Sequence, residues 1–200
     1  MANTAKKQQG DGGRFVGTTW QDLLDLETVE VPDYLRVQSN PDMGDEDLAV
    51  DRYVSQEFFD KEKEEMWPKV WQMACREEDI PESGDHFVYW IIQRSVIVTR
   101  TPSGEIKGFI NSCRHRGRCL RDESGSVDKF RCPFHGATWD LDGQFQGIPN
   151  DWDFEHIADR DMSLPQVKVE TWGGFIFINF DLDAQPLEDY MDILPDHFKR

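Results

Sequence analysis

Hydrophobic positions along the chain change their spacing more than once, and each change predicts a different kind of element. The first 18 residues are polar and glycine-containing, with no apolar run, and are expected to form a disordered tail. Residues 19–49 read as an N-terminal arm. Within it the run Thr18-Thr-Trp-Gln-Asp-Leu-Leu-Asp-Leu26 predicts a short helix with a threonine cap, and Val31-Pro32 ends that region. Asn40-Pro-Asp-Met-Gly44 is a turn. Ser55 to Trp67 predicts a helix that Ser55 can cap, with Phe58, Phe59 and Met66 on an intermittent apolar face before Pro68. That aromatic stripe reads as packing.

Beyond Pro68 the pattern becomes that of strands. Val70 to Ala74, Asp85 to Gln93, Ser95 to Arg100 and Ile106 to Ile110 are each expected to be extended, with Pro102-Ser-Gly104 turning the chain between the last two. Val127 to Arg131 is a further strand. The segment Thr138-Trp-Asp-Leu-Asp-Gly-Gln-Phe145 contains Asp142-Gly143, a short-range hairpin signal. Residues 150–165, between Pro149 and Pro165, look irregular. Val167 to Phe180 reads as two strands meeting at Gly173-Gly174, and the mostly apolar Phe175 to Phe180 calls for cover on both faces. Leu187 to Leu194 predicts a short helix. The fold class is therefore mainly β.

Composition narrows the setting. The 200 residues suffice for a domain of ordinary size plus something extra, and seven Trp argue against wholesale disorder. No stretch is long and apolar enough for a membrane span, and no signal peptide is evident, so a cytoplasmic location is expected. The formal net charge of -17 disfavours nucleic acid and anionic membrane as partners. The charge is uneven. Asp42 to Glu65 holds ten acidic and three basic residues, whereas Cys113 to Cys132 holds six basic (Arg114, Arg116, Arg118, Arg121, Lys129, Arg131) and three acidic ones. Such a basic cluster is either a solvated surface or a collar that steers an acidic partner.

The candidate chemistry lies in that basic stretch. Cys113-Arg-His115-Arg-Gly117 is followed by Cys132-Pro-Phe-His135-Gly136, with sixteen residues between His115 and Cys132. Each half offers one thiolate and one imidazole. Cys113, His115, Cys132 and His135 could ligate one tetrahedral zinc ion. Structural zinc sites usually pair like ligands at short spacing, however, and here each loop mixes the two types. That mixture suits a two-iron cluster in which both loops send Cys to one iron and His to the other. Strands leading into both loops would fix the ligand geometry. The remaining cysteines, Cys75 and Cys119, read as free thiols in a reducing compartment rather than as a disulfide framework.

Cys113-x-His115 and Cys132-x-x-His135, with Gly136, resemble the Rieske [2Fe-2S] signature. Several flanks are similar to the alpha subunits of Rieske non-haem iron oxygenases of the ring-hydroxylating type. They are Arg52-Tyr to Phe59, Trp67-Pro-x-Val-Trp71, Glu78-Asp-Ile-Pro to Asp85, Trp172-Gly-Gly-Phe-Ile-Phe-Ile-Asn179 and Pro186-Leu-x-x-Tyr190. The resemblance covers about residues 50–198. It implies a Rieske domain over 50–165 and, over 166–200, the first strands of an incomplete α+β catalytic domain. On that reading Phe175 to Phe180 would lack its sheet and present an apolar edge.

What the resemblance implies is an electron-transfer portion of a terminal oxygenase that hydroxylates or demethylates an organic, aromatic-type substrate with O2 and NAD(P)H-derived electrons. Its partners would be a reductase or ferredoxin donor and further subunits, as a homotrimer or alpha/beta hexamer. The His-ligated iron would be the outer one. A mononuclear Fe(II) is expected only in a C-terminal catalytic domain, because His156 and His197 lack the family's His-x4-His spacing and read as surface, packing or structural residues. The competing readings are a stand-alone Rieske-type ferredoxin and a zinc-stabilised module. In the respiratory Rieske type an extra Cys in each loop forms a disulfide, and a Ser and a Tyr donate hydrogen bonds toward the cluster. Here Phe134 stands at the second extra Cys, and Ala137 and Trp139 replace the hydroxyls. Their loss implies a low reduction potential.

Overall fold

The computed structural model describes residues 17–18, 20–36 and 47–199. By contact the chain divides into two units, residues 1–50 and 51–200. In the first, the expected short helix spans Trp20–Leu24, followed by a 3-10 turn at Asp33–Arg36. Trp20 Nε1 donates to the Leu35 carbonyl at 3.1 Å, and Arg36 pairs with Asp25 at 2.8 Å. The tail before residue 17 and the turn at Asn40 to Gly44 lie outside the described residues.

The second unit opens with helical turns at Asp51–Val54 and Gln56–Lys61. Ser55 caps the latter as its sequence suggests, its Oγ accepting from the Phe58 amide at 3.2 Å. A π-helical turn, Glu62–Met66, carries the chain to Pro68. Ten strands follow: β1 (Gln72–Arg76), β2 (Asp85–Ile91), β3 (Arg94–Arg100), β4 (Ile106–Ile110), β5 (Gly125–Ser126), β6 (Phe130–Arg131), β7 (Thr138–Trp139), β8 (Phe145–Gly147), β9 (Gln166–Trp172) and β10 (Phe175–Asn179). They pair antiparallel throughout. Seven form one sheet in the order β1-β10-β9-β4-β3-β2-β5, and β6-β7-β8 form a small second sheet.

The fully apolar stretch of β3 explains how the sheet builds two cores. Val96 and Val98 point into one, with Val167, Ile176, Ile178 and Ile80. Ile97, between them in sequence, points into the other with Phe109, Phe130, Cys113, Cys132, Trp139, Ile157 and Met162. Period-two alternation thus splits a continuous hydrophobic run between two faces. The second core joins the large sheet to the small one.

The strand expected to lack its sheet has one. Residues 166–180 supply β9 and β10 to the same sheet as the rest, with β10 between β1 and β9. Ile176 and Ile178 are fully buried, so no apolar edge is left there. The two strands meet where expected. Gly173 and Gly174 have φ of 59° and 83°, both left-handed, as a tight two-residue hairpin turn requires. β1 begins two residues later than its apolar run, because its register is set by pairing Gln72 with Ile178 and Arg76 with Phe175.

After β4 the chain is pinned by side chains rather than by a ladder. Asn111 Oδ1 accepts from the Leu120 and Arg121 amides at 3.0 Å each, and its Nδ2 donates to the Arg121 carbonyl at 2.6 Å. Arg121 Nε in turn donates to Nε2 of the buried His86 at 3.0 Å. This loop is therefore tied to β2 through one imidazole acceptor. Burial pushes the His86 pKa below its ordinary value; the Gly84 carbonyl opposes the shift and the Arg121 charge adds to it. The unfolded chain thus binds a proton on His86 at a higher pH than the folded one. Its stabilisation is complete above about pH 6.5 and is lost as the pH falls from there through the lowered folded value. Replacing it by His86→Gln, which keeps an acceptor but cannot titrate, should remove that share of the acid sensitivity. Urea midpoints of the two proteins should diverge most above pH 7 and converge toward pH 5; a constant gap would sink the assignment.

Candidate metal centre

The two candidate ligand loops have the same backbone. In the first, the Cys113 amide donates to the Arg118 carbonyl at 2.8 Å and the Gly117 amide returns to the Cys113 carbonyl at 2.8 Å. In the second, Cys132 donates to Ala137 at 2.8 Å and Gly136 returns to Cys132 at 3.0 Å. Each loop closes at the same offset on a glycine with positive φ, 74° at Gly117 and 77° at Gly136. At Gly136 a Cβ would stand 3.0 Å from Pro149, so glycine answers to space as well as to φ. The turns match although His is two residues after Cys in the first loop and three after it in the second.

That arrangement sorts the four side chains by depth. Cys113 and Cys132 are 4% and 2% exposed, inside the core shared with Phe130 and Trp139. Burial raises the Cys113 thiol above its ordinary pKa and the adjacent Cys132 sulfur adds to the shift, while the His115 and Arg116 amides pull it down. Two thiols side by side with backbone N–H groups directed at one of them form a site for thiolates held by a cation. The imidazoles of His115 and His135 lie farther out, half-buried, with ring centroids 4.9 Å apart. Burial lowers the His115 pKa, and Arg116, His135, His156 and Arg160 lower it further, so the ring is held neutral, the form that ligates. Its Nε2 is buried and has no hydrogen-bond partner. Among the described residues no three His, Cys, Asp or Glu side chains are disposed around a single ion. Two inner sulfurs and two outer imidazoles fit a two-iron cluster better than one tetrahedral zinc.

The neighbours complete the picture. No disulfide links the loops: all four cysteines are free, and the Cys119 thiol donates to the Arg121 carbonyl at 3.2 Å. Trp139 is fully buried and its Nε1 donates to the Met162 carbonyl at 2.6 Å, so it offers no hydrogen bond to a cysteine sulfur. The Ala137 side chain has no donor. Of the six basic residues, Arg121 is turned inward to His86 and Arg118 lies 3.7 Å from Asp122. Arg114 reaches the Asp161 carbonyl at 3.4 Å, and Arg116 is exposed. Lys129 and Arg131 line an open groove of about 800 Å³ together with Arg160 and Trp152.

Two residues of the centre escaped the sequence reading. His156, read as a surface or packing residue, is exposed and lies 5.6 Å from the His115 ring. Phe154 lies 5.3 Å from His115 and 5.6 Å from His135. Both come from the irregular segment after Pro149, where no periodicity marks a functional side chain. His197 lies in the helical turn Leu194–His197.

Comparison with known proteins follows the same residues. The family model for the Rieske [2Fe-2S] domain matches residues 70–158. The chain is 33% identical over 141 residues to a biphenyl 2,3-dioxygenase alpha subunit of Rhodococcus jostii, covering 70% of this chain and 31% of that protein. A naphthalene 1,2-dioxygenase variant bound to phenanthrene superposes with a TM-score of 0.66 at 32% identity, covering 70% of this chain and 32% of the other. A quaternary ammonium Rieske monooxygenase, whose structure bears on carnitine oxidation and inter-subunit electron transfer, gives 0.69 at 28% identity, covering 74% and 40%. The chain thus spans about a third of the length of the proteins it matches. Among the described residues no helix is long and apolar enough to cross a membrane. With its paired loops, its mainly antiparallel β fold and these relatives, the chain carries a Rieske [2Fe-2S] domain and belongs with the Rieske oxygenase alpha subunits.

Proposed function

We propose that this chain is the electron-receiving portion of a terminal oxygenase, with Cys113 and Cys132 holding one iron of the cluster and His115 and His135 the other. The observation that carries this reading is the pair of matched loops, which set two thiols inside the core and two imidazoles toward the surface. A bound [2Fe-2S] cluster supplies one-electron storage. This chain's own residues would bury its sulfur side, keep the imidazole side near the surface, and surround it with basic groups.

The whole subunit, on this proposal, hydroxylates or demethylates a small organic substrate with O2 and NAD(P)H-derived electrons at a mononuclear Fe(II) borne outside residues 1–200. Substrate class remains as broad as the relatives' own names, from aromatic hydrocarbons to quaternary ammonium compounds. Residues 50–165 carry the cluster, and residues 166–180 add β9 and β10 to the large sheet. The electron donor is a reductase or ferredoxin with an acidic face, drawn to the basic rim; the assembly is a homotrimer or an alpha/beta hexamer working in the cytoplasm.

Several outcomes are expected. Purified chain should contain equal iron and sulfide and give a rhombic EPR signal on reduction, whereas a colourless protein with one zinc would end the proposal. Cys113→Ser or Cys132→Ser should abolish the visible absorbance. Cys75→Ser and Cys119→Ser should leave it, because burial holds the Cys75 thiol up at about 12, as an inert core group. With no side-chain hydrogen bond to the sulfurs from positions 137 and 139, the midpoint potential should fall low in the Rieske range of roughly -150 to +300 mV. A value above about +150 mV would contradict that. Neutralising Arg116 and Arg118 together should slow reduction by the donor and flatten its salt dependence; unchanged kinetics would remove the steering role.

A further inference from the structure

The segment between Pro149 and Pro165 contains only single 3-10 turns, Asp151–Asp153 and Glu155–Ile157, yet it is fastened along its length. Ile157, Met162 and Leu164 are buried in the core that holds both cysteines. The Trp139 indole donates to the Met162 carbonyl, and the Leu164 amide donates to the Gly143 carbonyl at 2.9 Å. The Ile110 amide, at the end of β4, donates to the Pro165 carbonyl at 2.8 Å. The segment is thus tied both to the strand that enters the first loop and to the hairpin that leaves the second. It crosses the outer edge of the centre as a strap.

Phe154 is what the strap delivers there. Its ring meets His115 edge-on, at 5.3 Å and 89°, and His135 at 5.6 Å and 59°. Its inner side packs against the core around Cys113 and Cys132. The other rings at this edge do less. Phe134 stacks on His135 at 3.9 Å but is 62% exposed and belongs to the same loop, so it cannot join the loops. His156 meets His115 and Phe154 but is exposed. Among these rings Phe154 alone meets both imidazoles and reaches the core.

We propose that Phe154 is a positioning residue that locks the His115 and His135 imidazoles in one relative orientation, acting as a non-covalent clamp between two loops that no disulfide joins. The inference rests on the reading of those imidazoles as cluster ligands. Physically, the two loops are each closed by their own hydrogen bonds, so their outer tips have no backbone link to one another. An aromatic ring anchored in the core and presenting its edge or face to both imidazoles supplies that link, since aromatic pairs favour defined T-shaped and tilted geometries. Groups that orient metal-bound histidines govern metal retention without touching the metal.

The test compares wild type, Phe154→Leu, Phe154→Ala and Phe154→Tyr as full chains. In the iron- and sulfide-loaded proteins, Phe154→Leu and Phe154→Ala should release iron to a chelator about tenfold faster and broaden the EPR signal of the reduced cluster. Phe154→Tyr, which keeps the ring, should stay with the wild type. In the iron-free proteins, imidazole NMR signals of His115 and His135 should be single and sharp in wild type and averaged in Phe154→Leu. Should Phe154→Ala fail to fold, Phe154→Leu, which keeps most of the volume, decides. Wild-type iron release, line shape and imidazole signals in Phe154→Leu would overturn the clamp. A wild-type chain that takes up no cluster would defeat the ligand reading instead, and the imidazole signals would still decide whether Phe154 fixes the rings.

Discussion

Two thiols buried side by side set the terms for everything around them. In the apolar core burial holds the Cys113 thiol above its ordinary pKa, and the neighbouring Cys132 sulfur adds to the shift. A cation beside the pair would offset that cost, and metal binding would then be coupled to loss of their protons. The rest of the centre follows from that requirement. Glycines at positive φ turn each loop back on itself, backbone amides face the Cys113 sulfur, and Phe130 and Trp139 keep water from the inner side. The imidazoles of His115 and His135 lie farther out, half-buried, on the side away from that core.

The large sheet exists, in functional terms, to hold these loops still. β3 divides its hydrophobic residues between two faces, so one core stiffens the sheet and the other carries the cysteines. β4 runs straight into the first loop, and Asn111 then substitutes for a strand partner by holding both amides and a carbonyl of residues 120–121. The second loop sits between β6 and β7, whose short ladder pairs Phe130 with Trp139 and Arg131 with Thr138. Two different supports thus deliver one backbone turn twice.

The sequence made the ligand loops and most strand positions legible because each depends on near neighbours: Cys and His offsets, glycine spacing, alternation, Asp142-Gly143. What it left hidden depends on pairings between distant segments. The apolar run at Phe175 to Phe180 announced a covered strand but not its partners, and β1, some hundred residues earlier, turned out to be one of them. The family resemblance spoke to where those strands fall in the chain, and the ladder shows which strands they pair with, β1 and β4. Phe154 and His156 were hidden for a related reason. An irregular segment has no period, and the hydrogen bonds that fix it come from Ile110, Trp139 and Gly143, each remote along the chain or tied by a side chain.

Charge gives the molecule its direction. A net charge of -17 repels most acidic partners at long range, whereas the rim of the centre collects Arg114, Arg116, Arg118, Lys129 and Arg131. Screening confines the distant repulsion to about a Debye length, roughly 8 Å at physiological ionic strength. A partner within that range is governed by the local groups rather than by the sum. Arg121 shows that the same basic stretch also serves the fold, since its guanidinium is spent on His86 and not on solvent. The local field beside the imidazole edge is thus set by the residues left facing outward, Arg116 among them, and it differs in sign from that of the chain as a whole.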